Sequence, residues 1–307
     1  IRAVIYGIIG ILILTVLLTA SRSGFLGLGV LFYLLSRNRG SRKGIIVLAL
    51  FMVGLMMFSE SGGTNCAPDG AYVRAALRLM DATNKPKYQS LINSLHVLND
   101  KSNGGKLGLT MAEAYYYFSQ DYAYAGHNKA KRDYAGNSVA NYPSSNAVYA
   151  LAGNAFVSSA STVYQNPVKS GCQKNFIIYI SNGAVQDNSS DTSTANAKLA
   201  AAGGSTAQIT LSPSGSQSNA ADEWARFMVT TASTKVVTYA LDVDPITTGQ
   251  GPGFTALLKS MANAGKGKYF AVNSSVNGGA QIINALDQIF SEIQAVSSAF
   301  VSASLPV

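Results

Sequence analysis

Oxygen-bearing side chains offer the first chemistry to weigh. Asp187 and Asp191 stand in a polar stretch that follows one apolar run, and Asp242 and Asp244 close another. Carboxylates in loops beside strand ends are the ligand type that a hard cation such as Ca²⁺ requires, although solvated loop carboxylates are the simpler reading of these four. Cys66 and Cys172 form no C-x-x-C pair and lie near no histidine at ligand spacing, which speaks against a zinc site. In an exported domain the two would form a disulfide joining the start of the domain to the start of a central strand; the alternative is two buried thiols. His96 and His127 have no neighbouring nucleophile motif such as G-x-S-x-G, and the glycines of 249–253 lack the G-x-x-x-x-G-K-[ST] arrangement that cradles phosphate. Binding is therefore expected here, not catalysis. Tyr115, Tyr116, Tyr117, Tyr122 and Tyr124 would supply an adhesive aromatic surface, with about half of them expected in the core.

The elements that position these residues follow from hydrophobic period. Residues 71–80, 87–98 and 107–118 place apolar side chains at helical spacing, with Pro86 at the start of the second. Residues 119–170 are rich in Ser, Asn, Ala, Gly and Tyr without sustained period, which predicts an irregular surface insertion. FIIYI at 176–180 is a continuous apolar run ending in Ser181-Asn182-Gly183, the pattern of a buried parallel strand leading into a functional loop. A polar segment follows. Helices are then expected at 220–229, 253–264 and 279–297, alternating with strands at 235–243 and 268–272. Such alternation predicts an α/β fold with a mainly parallel sheet flanked on both faces.

Of the net charge of +8, residues 1–60 hold six basic residues and one acidic residue, against seventeen and fourteen in the remaining 247. The excess thus belongs to the short N-terminal segment, and a nucleic-acid partner loses its support. Residues 3–20 are uncharged and apolar at the length of a spanning helix; 24–35 and 44–58 are shorter apolar runs, so two or three transmembrane helices are expected. Between the last two lies a basic loop, residues 37–43, of the kind held in the cytoplasm. This predicts that 44–58 exits the cytoplasm and delivers the rest of the chain to the extracytoplasmic side. The expected division is a membrane segment at 1–59 and an exported domain at 60–307.

The first segment, with Thr19-Ala20-Ser21-Arg22-Ser23-Gly24 closing a span, resembles the membrane core of O-antigen polymerases and ligases, which implies a lipid-linked glycan contact at Arg22. Those enzymes need many more spans, so Arg22 reads first as a helix-end anchor. The runs LNDKSNGGKLGLTMAEAYYYFS, GCQKNFIIYISNG, NAADEWARFM, TTGQGPGFTALLKSMANAGKGKYFAV and QIFSEIQAVSSAFVSASLPV resemble the N-terminal von Willebrand factor A domain of the type IV pilus tip adhesin and biogenesis family, over about residues 70–307. The resemblance implies a doubly wound sheet, a place at the pilus tip, periplasm or outer surface of a bacterium, and work in pilus biogenesis, cell adhesion and surface sensing. Its partners would be pilus minor subunits or a host or surface receptor. Because that family continues into a β-propeller and does not carry a polymerase-like membrane segment, the chain is expected to be a fragment or a fusion.

Such domains often hold Mg²⁺ through D-x-S-x-S, a threonine from a second loop and an aspartate from a third. Here Ser59, Ser61 and Gly63 stand in the first motif, Gly104 and Gly105 at the threonine, and Asn182 at the third-loop aspartate. With no carboxylate at these positions, no cofactor is expected, and added Mg²⁺ or Ca²⁺ should leave the melting temperature unchanged. Thr110, inside a helix, reads as a packing residue.

Overall fold

The computed structural model describes residues 52–59, 70–95, 100, 105–129, 131–133, 153–158, 161–168, 173–231, 233–245, 251–275 and 279–303. Arg22, Ser61, Cys66, His96, Gly104 and Cys172 lie outside these residues, as do the expected spans at 3–20 and 24–35. The description concerns the compact unit Leu50–Ser297 and the last helix that runs on from it.

Two strands open this unit. β1 (Met52–Phe58) pairs antiparallel with β2 (Ala71–Leu79), matching Met52 to Leu79 and Phe58 to Ala71 with irregular register between. β1 corrects the expectation of a span at 44–58. Its apolar side chains are shared among three clusters: Leu55 packs with Ala75, Tyr88 and Leu91; Met56 with Val73, Ala76 and Tyr117; Phe58 with the main core. Only eight residues, 44–51, precede the strand within the expected span, about 12 Å as helix and far short of a bilayer. Among the described residues no helix is long and apolar enough to cross a membrane.

β2 corrects the helix expected at 71–80. Its Ala- and Leu-rich spacing fits a helix, but Arg74 and Arg78, which a surface helix would solvate, are both buried. α1 (Asn84–Ser94) packs against β2 and starts three residues before the expected helix. α2 (Leu107–Ser119) lies where the helical period places it.

The remaining chain alternates as read. β3 (Asn175–Ser181), β4 (Val236–Val243) and β5 (Lys266–Val272) form a parallel sheet in the order β3-β4-β5. β3 and β4 pair residue by residue from Asn175 with Val236 to Ser181 with Asp242. α3 (Ser189–Ala201), α4 (Ala221–Thr230), α5 (Gly251–Ala264) and α6 (Ala280–Ala303) complete the unit. The period of 2 in β4 divides the core. Val236 and Ala240 face the large cluster with Trp224 and Met228 of α4 and Leu257, Leu258 and Met261 of α5. Tyr239, Leu241 and Val243 face Ala285, Ile289 and Ile293 of α6. The sheet is thus covered on both faces, a mixed α/β architecture.

α3 arises in the segment read only as polar. Asn188 accepts from the Asp191 N–H and the Asp191 carboxylate accepts from the Asn188 N–H, both at 2.9 Å, a reciprocal cap that starts the helix. The insertion at 119–170 keeps its irregular character where described, with isolated bridges Tyr122 to Val163 and Phe156 to Tyr164.

Candidate functional site

The C-terminal ends of the parallel strands and the N-terminus of α2 define the place where ligands meet open sheets of this kind. β1 leads into Ser59, a buried residue whose N–H donates to the Gly70 carbonyl at 2.9 Å. Gly70 has φ of +109° and its backbone lies against Leu109, where a Cβ would come within 3.0 Å of that residue. β3 ends at Ser181, whose hydroxyl bonds the backbone of Gly183, and Asn182 points its exposed side to solvent.

The loop after β3 folds onto the start of α2. The Gln186 N–H donates to the Gly105 carbonyl at 2.9 Å. The Asp187 carboxylate accepts from the N–H groups of Leu107 and Gly108 at 2.9 and 3.1 Å, filling two of the four donors a helix start leaves open. Burial raises the Asp187 pKa, opposed by those two N–H donors and by Asn219. Gly108 is small for a reason: a Cβ there would lie 3.0 Å from Ala195 and 3.3 Å from Asp187. Lys106, immediately before the helix, donates to the Gln186 carbonyl and forms an ion pair with Asp191 at 2.8 Å, their side chains only 10% and 13% exposed. Thr110 donates its hydroxyl to the Lys106 carbonyl at 2.8 Å, within α2, as a packing residue does.

The expected carboxylates therefore separate into three arrangements. Asp187 and Asp191 meet at the start of α2. Asp242 is wholly buried and accepts from Thr255 Oγ1 at 2.8 Å and from the Tyr269 hydroxyl at 2.9 Å, tying β4 to α5 and β5. Burial, with Asp242 beside it, pushes the Tyr269 phenol far above its usual range. Asp244 has φ of +54° and accepts from the Ser274 N–H at 2.7 Å on a separate turn. No three His, Cys, Asp or Glu side chains converge among the described residues.

At Ser59, Gly105 and Asn182 the residues present do not suit Mg²⁺ or Ca²⁺. Asp187 and Asp191 already face N–H groups and an ammonium, Asp242 accepts from two hydroxyls, and Gly105 is packed so closely that a Cβ would meet the Phe58 ring at 3.1 Å. Such cations need six or more oxygen donors, and this edge presents hydrogen-bond donors instead.

The tyrosines divide unequally. Tyr117 is buried, and Tyr115 packs against Trp224 and Phe227 with ring centres 5.4 and 5.3 Å away. Tyr124 carries Lys198 3.7 Å above its ring, and Tyr122 is 68% exposed. His127 sits in a short 3₁₀ turn, Gly126–Asn128. Sequence reasoning singled out none of Lys106, Glu113, Asp133 and Arg78. Only Lys106 had a visible signal, a lone cation between two glycines and a helix start. Compared with known protein families, characterised proteins and solved structures, the chain finds no match.

Proposed function

We propose that the chain from β1 onward forms an extracytoplasmic von Willebrand factor A-like binding module of the type IV pilus tip adhesin family, tethered through the residues that precede β1. Its work is contact: pilus assembly, surface attachment and sensing, with minor pilus subunits or a surface receptor as partners. The observation that carries this reading is the in-register parallel pairing of β3 with β4, both running into loops at one edge beside the start of α2. That is the crevice side at which doubly wound sheets bind. The edge offers hydrogen-bonding loops and the exposed Asn182.

The outer placement now rests on the resemblance. The basic loop at 37–43 oriented the chain through a span at 44–58, and the second half of that run is β1. Surface proteolysis of intact cells tests the placement directly. The function is tested by deleting the chain from its piliated host and complementing with wild type or Asn182→Arg. Attachment and pilus number should fall on deletion, return with wild type, and attachment should return only partly with the variant. Unchanged attachment and piliation in the deletion strain would refute the proposal.

A further inference from the structure

We infer that the Lys106 ammonium is the resident cation of this sheet edge, doing with a covalently attached charge what a bound metal ion does elsewhere, so that the edge is locked without any divalent ion. Three observations place it there. First, the ammonium lies between two acceptors, the Gln186 carbonyl of the β3–α3 loop and, at 2.8 Å, the Asp191 carboxylate in the first turn of α3. Second, both partners of the ion pair are largely shielded, so the attraction is weakly screened, and removing either leaves the other charge poorly solvated. Third, the neighbouring carboxylate, Asp187, is taken up by the Leu107 and Gly108 N–H groups, so the α2 terminus and Lys106 together neutralise the two acidic side chains.

The geometry explains why the lysine stands at this position. Lys106 is the residue before the first turn of α2, with extended backbone at φ −100° and ψ 91°. Its carbonyl already accepts the Thr110 N–H at 2.9 Å and the Thr110 hydroxyl, so its backbone belongs to the helix while its side chain crosses to the β3–α3 loop. The same Asp191 oxygen, Oδ2, also accepts the Asn188 N–H at 2.9 Å. The ammonium thus joins the first turn of α2 to the capping box of α3. Any ligand meeting this edge finds no open coordination position, and its binding should resist chelators.

The test uses the full chain, with thermal unfolding read in EDTA, in millimolar MgCl₂ or CaCl₂, and in NaCl of matched ionic strength. Wild type should hold its melting temperature within about 1 °C across all four. Lys106→Met should lower it by roughly 5 °C, and CaCl₂ but not NaCl should restore part of the loss, because Asp191 and the Gln186 carbonyl become free to ligate. Lys106→Arg should stay close to wild type. A saturable rise of wild type in either divalent salt, a Lys106→Met variant as stable as wild type, or one that ignores calcium would each overturn the inference. If Lys106→Met yields no folded protein, Asp191→Asn decides: a lower melting temperature that calcium does not mend supports the inference, and an unchanged one ends it.

Discussion

Buried carboxylates in this protein differ in how they are solvated. Glu113, wholly buried in α2, accepts from the N–H groups of Tyr124, Ala125 and Gly126 and from the Tyr164 hydroxyl. Burial raises its pKa and those four donors oppose the rise. Glu223, at the start of α4, accepts from the Ile209 N–H at 2.7 Å and from its own backbone N–H, and its neighbour is the carboxyl of Asp222, which also accepts from Ser260 of α5. Burial first, then the hydrogen bond and charge of Asp222, push Glu223 from 4.5 to about 7. A carboxyl whose pKa is raised on folding binds its proton more tightly in the folded chain. Its contribution is therefore fully present below 4.5 and is lost as pH rises through about 7. Glu223→Gln keeps an acceptor for Ile209 and adds an uncharged donor toward Asp222. Its melting temperature relative to wild type should rise between about pH 5 and pH 8, reaching a gain of about 1 kcal/mol at the upper end. A difference that stays flat across that range would place the proton elsewhere.

At the scale of elements, β2 shows where hydrophobic period misleads. Arg78 and Asp133 form a bidentate buried pair at 2.7 and 2.8 Å, and the same carboxylate accepts the N–H groups of Ala76 and Ala155 at 2.9 and 3.0 Å. One aspartate thus joins β2 to two stretches of the irregular insertion. The partner of Arg78 lies 55 residues away, so no local window could show that this arginine turns inward. β3, β4 and β5 were legible because each is a compact β-rich run between turn residues, and α2, α4, α5 and α6 because their apolar period is long. α3 was missed for the opposite reason: its apolar positions are few, and its only signal was the Asn188 and Asp191 pair. Asp133→Ala should cost about 3–5 kcal/mol by stranding Arg78 in a buried place. It should also open residues 119–168 to protease before the parallel sheet unfolds. Cleavage there at the wild-type rate would show that Asp133 does not hold the insertion.

For the whole molecule, the decisive question is what the apolar run MVGLMMF serves. Composition alone reads it as part of a span, since lipid and core ask for the same side chains and differ only in length and partners. The candidate site was less legible: Asp187 and Asp191 were read as carboxylates of a polar loop, but Asp191 stands in the first turn of α3, and the donors that claim the two come from 79 to 85 residues earlier. In β1 the apolar groups have protein partners, with Leu55, Met56 and Phe58 each packed into a different cluster. The buried clusters that hold the unit all close within residues 55–293. The chain from residue 50 to 303 should therefore fold without detergent or lipid and melt within about 3 °C of the full chain, whereas trimming a further nine residues, through Phe58, should cost at least about 3 kcal/mol from three exposed pockets. If the run is instead half of a span, the 50–303 chain will need detergent to stay dispersed, and removing β1 will improve its behaviour. Differential scanning calorimetry of the two truncations beside the full chain separates these outcomes, because only a strand that completes a core changes the unfolding enthalpy when it is lost.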